Sequence, residues 1–286
     1  MAEIRSWLTL GRISNLSTVW ANGLCAWILG GGGEASVLLI LLGALSLIYV
    51  GGMYLNDYCD VRFDKELRPE RPIPTGKVSR NSVLIVTLVF FAAGIGSAIS
   101  INSFSALFAG ILVGIVVLYN LVHKYTVLGV PLMAACRTGV YVTVGSATLL
   151  GLTPQIWGAG VLMFFYILGV TALARTESTE LKASAVGYTF LVVPMIGIFY
   201  IAGPPFEKLF PISYCLAALW ISIAFSMARK GGTFVIGKTI GPLLAGICLI
   251  DLAILNSMHL VTVSTLGIFL VLFALAWIAQ RYVPAT

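Results

Sequence analysis

Asn56, Asp60 and Asp64 lie four residues apart, so on a helix they share one face, with Asp57 one step round it. Carboxylates stacked in this way repel one another and become tolerable when a cation sits among them. Three or four such oxygens suit hard Mg2+. Lys65, Arg68, Arg71 and Lys77 follow at once. Acids followed by bases are what a magnesium-bound phosphate ester needs: carboxylates for the metal, cations for the phosphate oxygens. A plain charged loop between two apolar runs is the competing reading, and the order of residues argues against it. The acids come first, at helical spacing, directly out of an apolar run that begins near Ser36; the bases and the Pro-rich RPERPIPTG come after.

These side chains need helices to carry them, and the composition says where those helices lie. The 286 residues are 59% hydrophobic and only 10% charged, against about 25% charged in a soluble domain. Apolar runs of about 18 residues or more recur, each long enough to cross a bilayer. The chain reads as all-α, a polytopic transmembrane helical bundle forming a single domain over 1–286. Spans are expected at about 15–29, 36–55, 82–100, 104–120, 127–150, 156–174, 186–202, 211–228, 236–257 and 262–280, with Pro131, Pro194 and Pro242 kinking three of them.

The net charge of +6 sets orientation here and does not imply nucleic acid. With the 56–80 segment in the cytoplasm, alternation puts Arg5, Arg12, Lys124, Arg175, Lys182, Arg229, Lys230 and Arg281 on the same side, and only Lys208 outside, beside Glu207. This favours both termini inside and a site facing the cytoplasm. No cleavable signal is expected, because the first residues lack a short apolar core with a small-residue cleavage site. The five cysteines are scattered without a CxxC pair, which argues against a disulfide framework or a zinc site.

Three polar residues fall inside apolar runs: Asn22, Arg137 and Asp251. A charge near the bilayer centre costs about 2.5–3.5 kcal/mol even on the lenient scale, so it faces a cavity or a partner. Arg137 is expected either to line a polar pocket or to pair with Asp251. His123 and His259 read as structural or solvated, and no residue stands out as a general base. A second polar segment, 175–182, follows four spans after the first and faces the same side. Two such segments could close over a shared cavity.

Asn56-Asp57-x-x-Asp60-x-x-x-Asp64, followed by Arg71-Pro72-Ile73-Pro74-x-Gly76, resembles the signature of the UbiA superfamily of intramembrane prenyltransferases. Gly11 to Leu16, continuing to Asn22, is similar to that family's first span, and Tyr119-Asn120 with Lys124 to its polar turn after span four. The resemblance implies nine spans, against the ten counted, around a central cavity capped by cytoplasmic loops. It implies an enzyme of the cytoplasmic membrane that uses Mg2+ to move an isoprenoid chain from a prenyl diphosphate to a small-molecule acceptor, often aromatic, in contact with membrane lipid. Carried over by position, Asn56, Asp57, Asp60 and Asp64 would hold metal, the three aspartates being the catalytic set. Arg68, Arg71 and Lys124 would hold diphosphate, and Arg12, Asn22, Tyr119 and Asn120 would line the cavity; Arg137 joins them as a candidate substrate contact.

One departure bears on mechanism. The family's second motif is aspartate-rich, commonly DxxxD, whereas this chain has Ala174-Arg175-Thr176-Glu177-Ser178-Thr179-Glu180. That resembles the divergent members encoded in ebo-type gene clusters. Either one metal suffices, or Glu177 replaces an aspartate, or the chemistry is altered; Arg175 is a candidate to supply the positive charge a second metal would have given. The alternative is a non-catalytic relative that binds a lipid or metabolite precursor or helps to export it.

Overall fold

The computed structural model describes residues 2–178, 185–203, 210–227, 229–230, 233–234 and 237–283. Within them the chain is helical apart from one short antiparallel pairing of Arg229–Lys230 with Thr233–Phe234. Helix α1 (Ala2–Leu10) leads through a 3-10 turn (Ile13–Asn15) into α2 (Leu16–Leu29). Then come α3 (Ala35–Cys59), the short α4 (Val61–Leu67), α5 (Arg80–Ile99), α6 (Ser103–Val122) and α7 (Gly129–Gly145). The second half holds α8 (Pro154–Ser178), α9 (Ala185–Ala202), α10 (Phe210–Met227), α11 (Gly237–Ala245), α12 (Ile247–Ser257) and α13 (Val263–Ala279).

Helix starts follow local chemistry. Ser79, Asn102 and Thr262 each accept a bond from the backbone N–H three residues on, satisfying an otherwise orphaned donor of α5, α6 and α13. The glycine run after α2 allows a tight reversal: Gly31 and Gly32 take φ of 79° and 73°, a region closed to most side chains. It also allows the N–H groups of Leu149 and Leu150 to bond the carbonyls of Gly32 and Gly30, which ties that turn to the α7–α8 loop.

Helices lie along the expected apolar runs, with two of them, α11 and α12, along the run expected at 236–257. By length and composition α3, α5, α6 and Pro154–Arg175 of α8 cross a bilayer unaided, and α11 with α12 would do so as one span bent by 40°. The other apolar helices are shorter. Ile85, Leu88, Leu107, Ile111 and Leu118 on α5 and α6 are exposed, as lipid-facing residues would be. The result is a polytopic transmembrane helical bundle.

Two expected features differ. Pro131 sits in the first turn of α7, where its missing N–H removes no helical bond, so it does not interrupt a span. The same helix ends at Gly145 instead of running to residue 150, because the Ser146 and Thr148 hydroxyls bond back to the carbonyls of Thr143 and Gly145.

At the centre lie α2, with ten buried residues, and α12, buried over its whole length of 11 residues. There the buried polar residues of both helices, Thr18 and Asn22 of α2 and Asp251 and Asn256 of α12, find hydrogen-bond partners away from lipid. Helix α2 packs on α3, α7, α12 and α13; α3 packs on α5, and α7 on α6 and α8. A smaller cluster of Leu10, Tyr54, Val61, Ile73, Val78 and Val83 pins α1, α4 and the Pro-rich loop to the end of α3. That cluster is what holds the first polar segment in place.

Candidate active site

Helix α3 stops at Cys59, yet the four-residue bonding step runs on through the junction. Asp60 N–H donates to Asn56 O (2.9 Å) and Asp64 N–H to Asp60 O (2.8 Å), so the helical bonding pattern links α3 to α4. Asn56, Asp57, Asp60 and Asp64 are between 1% and 6% exposed. Buried carboxylates require partners, and each finds one. Arg71 Nη1 lies 2.9 Å from Asp57 Oδ1 and 3.0 Å from Asp64 Oδ2. Arg12 Nη2 donates to Asn56 Oδ1 (3.0 Å) and lies 3.3 Å from Asp57 Oδ1. Lys124 Nζ lies 3.1 Å from Asp60 Oδ2, and His123 Nε2 3.4 Å from Asp60 Oδ1.

Each cation is positioned by its own device. Arg12 adopts a left-handed backbone, φ 42°, which is uncommon for a residue with a side chain. Its carbonyl accepts the Tyr49 hydroxyl (3.1 Å) and its guanidinium reaches across Met53 Sδ (3.5 Å). Arg71 is turned inward by the following loop, in which Gly76, at φ 74°, donates to Ile73 O. Lys124 stands 3.7 Å over the Phe63 ring, a cation–π contact. His123 stacks on Tyr119 at 4.8 Å, and its Nδ1 is 3.2 Å from Tyr119 O. Both ring nitrogens thus face oxygens, Asp60 Oδ1 and Tyr119 O. For Asp60 burial alone would raise the carboxyl pKa. The His123 hydrogen bond and the charge of Lys124 outweigh burial and hold it below the ordinary carboxylate value.

Beneath this cluster a largely apolar cavity opens between α2, α3, α6 and α7. Tyr49, Gly52 and Met53 of α3, Tyr119 and Asn120 of α6, and Cys136 and Arg137 of α7 are among its lining residues. Asn120 joins it to the acids, accepting from Asn56 Nδ2 (3.0 Å) while donating to Val116 O and Gly52 O. Arg137 lines the cavity and does not pair with Asp251 directly. It donates to Asn22 Oδ1 and Thr18 Oγ1, both at 3.0 Å, and Asn22 Nδ2 in turn donates to Asp251 Oδ2 at 2.8 Å. Asn22, expected at the cavity wall, is fully buried behind Arg137.

The remaining expected residues divide. Arg68 caps α4 by donating its N–H to Asp64 O (2.9 Å), and its side chain is exposed, whereas the Arg71 guanidinium reaches Asp57 and Asp64. Arg175, on α8, donates through Nη1 to Thr126 O (2.7 Å), which brings the second polar segment against the Lys124 loop. The side chain of Glu177 lies outside the described residues. Among the described residues no three His, Cys, Asp or Glu side chains stand close enough together to hold a metal, and the three aspartates face Arg12, Arg71 and Lys124. The donor set nonetheless fits a hard divalent ion. It is all oxygen, and Asp64 Oδ1 is buried with no partner.

Sequence reasoning missed His123 as a partner of Asp60, and missed Thr18, Tyr49 and Met53 altogether. The adjacency of His123 to Lys124 was the one available signal. Thr18, Tyr49 and Met53 carry no local mark, since Thr, Tyr and Met within apolar runs are ordinary packing residues.

Residues 15–180 match the model of the UbiA prenyltransferase family. The chain is 27% identical over 186 residues to the digeranylgeranylglyceryl phosphate synthase of Sulfolobus acidocaldarius, covering 62% of this chain and 65% of that protein. It is 36% identical over 121 residues to the enzyme of that name from Methanosarcina barkeri, covering 41% and 38%. The match therefore spans 65% and 38% of the length of these curated relatives. A UbiA homologue from Aeropyrum pernix K1 superposes with a TM-score of 0.68 at 16% identity, over 86% of this chain and 98% of that one. A UbiA homologue from Archaeoglobus fulgidus bound to GPP and Mg2+ does so at 0.55 and 15%, over 96% and 99%. At these identities the two structures establish the fold.

Proposed function

The chain belongs to the UbiA prenyltransferase family, and from that premise we propose that it moves an isoprenoid chain from a prenyl diphosphate to a small-molecule acceptor. One observation carries this reading: buried Asp57, Asp60 and Asp64 interleaved with Arg12, Arg71 and Lys124 at the mouth of a largely apolar cavity. The Archaeoglobus homologue's GPP and Mg2+ agree with it.

Asp57, Asp60 and Asp64, with Asn56, are the residues that would hold Mg2+. When bound, the ion supplies positive charge to the departing diphosphate. Arg12, Arg71 and Lys124, released from the carboxylates they neutralise, turn to phosphate oxygens and stabilise charge that develops as the allylic C–O bond breaks. The electron pair of that bond leaves with the diphosphate. The acceptor forms the new bond to the allylic carbon and yields its proton to the departing group. Met53, Val116 and Met133 keep water from the cation formed there.

Arg175 is the proposed stand-in for a second metal, delivered to the site by its bond to the Lys124 loop. Arg12, Arg71, Lys124 and Arg175 gather at one end of the bundle, which by the positive-inside rule faces the cytoplasm of a cell's inner membrane. The glyceryl phosphate in the relatives' names supports a polar, acid-bearing acceptor over a plain aromatic one.

The test is release of diphosphate from labelled geranyl diphosphate by purified protein, with and without Mg2+, before and after Asp64→Ala. Expected is Mg2+-dependent release with acceptor, cut by a factor of about 100 or more in the variant. Release indifferent to both the ion and Asp64 would overturn the reading.

A further inference from the structure

The last third of the chain carries positive charge that its own acids do not balance. From Lys208 onward the basic residues are Lys208, Arg229, Lys230, Lys238 and Arg281, against a single acid, Asp251. Asp251 is fully buried and engaged by Tyr141 and Asn22 in the interior. Two of these cations, Lys238 at the start of α11 and Arg281 just past α13, line one cavity together with Met227, Gly241, Trp277 and Gln280. Both are exposed, and among the described residues neither meets a carboxylate. The cavity holds about 390 Å3, within the range of about 300–1,000 Å3 usual for ligand pockets.

Packing fixes its walls. Trp220 Nε1 donates to Pro242 O (2.8 Å), and the Trp277 ring stands edge-on to Trp220 with centroids 5.0 Å apart. The Arg281 guanidinium lies over the Trp277 ring, 5.9 Å from its centroid. Gln280 presses on α11 where Gly241 has no side chain, since a Cβ there would meet Gln280 Oε1 at 2.9 Å. Gln280 Nε2 donates to Asn15 Oδ1 (3.3 Å), and the Asn15 N–H to Arg12 O (3.1 Å). The cavity therefore lies at the same end of the bundle as Arg12 and the acids, against other helices and apart from the central cavity.

Cations that only set membrane orientation need no concavity. Two that face one concavity raise its positive potential, which an anion relieves while gaining charge-assisted bonds, bidentate ones from the guanidinium. Met227 and Trp277 add surfaces that suit an acyl chain and offer nothing to a small hydrated ion, and Trp is at home at the level of lipid headgroups. Basic pockets between spanning helices at the cytoplasmic side hold anionic headgroups in this way. We propose that this cavity binds a phosphate-bearing anion whose source is an anionic membrane lipid: its phosphodiester on Lys238 and Arg281, an acyl chain against Trp277 and Met227. The site is separate from the acids and does not depend on the prenyl-transfer reading.

Counting bound lipid tests it. Purified full-length protein, delipidated in detergent, is titrated with phosphatidylglycerol, phosphatidylcholine or inorganic phosphate, and the bound molecules are counted by native mass spectrometry. Wild-type protein is expected to prefer phosphatidylglycerol to phosphatidylcholine by about tenfold or more. Lys238→Gln with Arg281→Gln is expected to erase that preference. Arg5→Gln with Arg62→Gln, which removes two exposed charges elsewhere, is expected to keep it. Inorganic phosphate that binds wild type as tightly as the lipid, and fails to bind the first double variant, would uphold the phosphate site and assign it to the free ion. Equal wild-type affinity for the two lipids with no phosphate bound would overturn the proposal, and needs no variant that folds. So would a preference that survives the first double variant, or one lost equally in the second.

Discussion

A single nitrogen, Nη1 of Arg71, lies 2.9 Å from Asp57 Oδ1 and 3.0 Å from Asp64 Oδ2, and so ties the end of α3 to α4. The three side chains are between 2% and 15% exposed, which makes this a buried triad and not a surface ion pair. Each carboxylate here is neutralised from within the chain. An incoming metal–diphosphate pair can therefore exchange partners with acids and bases already matched, without adding uncompensated charge to the interior.

Arg71→Ala strands Asp64 and leaves Asp57 with Arg12 as its one remaining cation among the described residues. Breaking such a buried pair costs about 3 kcal/mol, so a clear fall in Tm is expected in a detergent melt. Because Asp57 and Asp64 are also the proposed metal ligands, Mg2+ should restore part of the lost Tm in the variant and raise the wild type less. A variant whose melt ignores Mg2+ would speak against metal binding at these oxygens.

Asp60 gives the expected pH dependence. Its folded carboxyl lies below the ordinary value, through His123 and Lys124 acting against burial. A carboxyl lowered on folding contributes stability above its unfolded pKa and loses it as pH falls through the folded one. Melts taken from about pH 7 down to about pH 3 should therefore show wild type losing Tm faster than Asp60→Asn at the acid end. Parallel curves would show that the carboxylate is not held by these partners.

How much of this could be read from the chain alone differs by range. The four-residue spacing of Asn56, Asp60 and Asp64 is local, and the backbone bonds through Asp60 preserve it. Apolar run lengths located the helices for the same reason. Which cation meets which acid is another matter: Arg12 is 45 residues from Asp57, and Asn22 is 229 from Asp251. Such pairings are set by how α2, α3, α7 and α12 pack, and no spacing rule reaches that far. Arg68 and Arg71 look alike in sequence. They part because α4 ends at Leu67 and the loop then turns only the second of them inward.

Asp251→Leu is expected to be the most damaging single change in the interior. It would leave the Tyr141 hydroxyl and one Asn22 N–H without acceptors in a region that is 0% exposed. Two unsatisfied buried groups cost about 2–6 kcal/mol together. Asp251→Asn keeps one carbonyl acceptor and should cost clearly less. Both are read as Tm in detergent, and equal losses would mean that packing volume, not hydrogen bonding, sets the effect.

Arg12 separates backbone strain from charge. Its φ of 42° lies in the left-handed region, while its guanidinium serves Asn56 and Asp57. Arg12→Ala and Arg12→Gly both remove the guanidinium and should weaken diphosphate binding to the same degree. They differ in the backbone, since alanine keeps the left-handed penalty of about 1–2 kcal/mol and glycine does not. Glycine is the more flexible residue when unfolded, which takes back about 0.4–1 kcal/mol of that gain. The net expectation is a glycine variant more stable than the alanine variant by roughly 1 kcal/mol, at equal geranyl diphosphate affinity. If alanine proved the more stable, the turn at Arg12 would have to relax to an ordinary conformation once the side chain is gone. In that case it is the pull of Asn56 and Asp57 on the guanidinium, and not the chain path from α1 into α2, that holds the strained backbone.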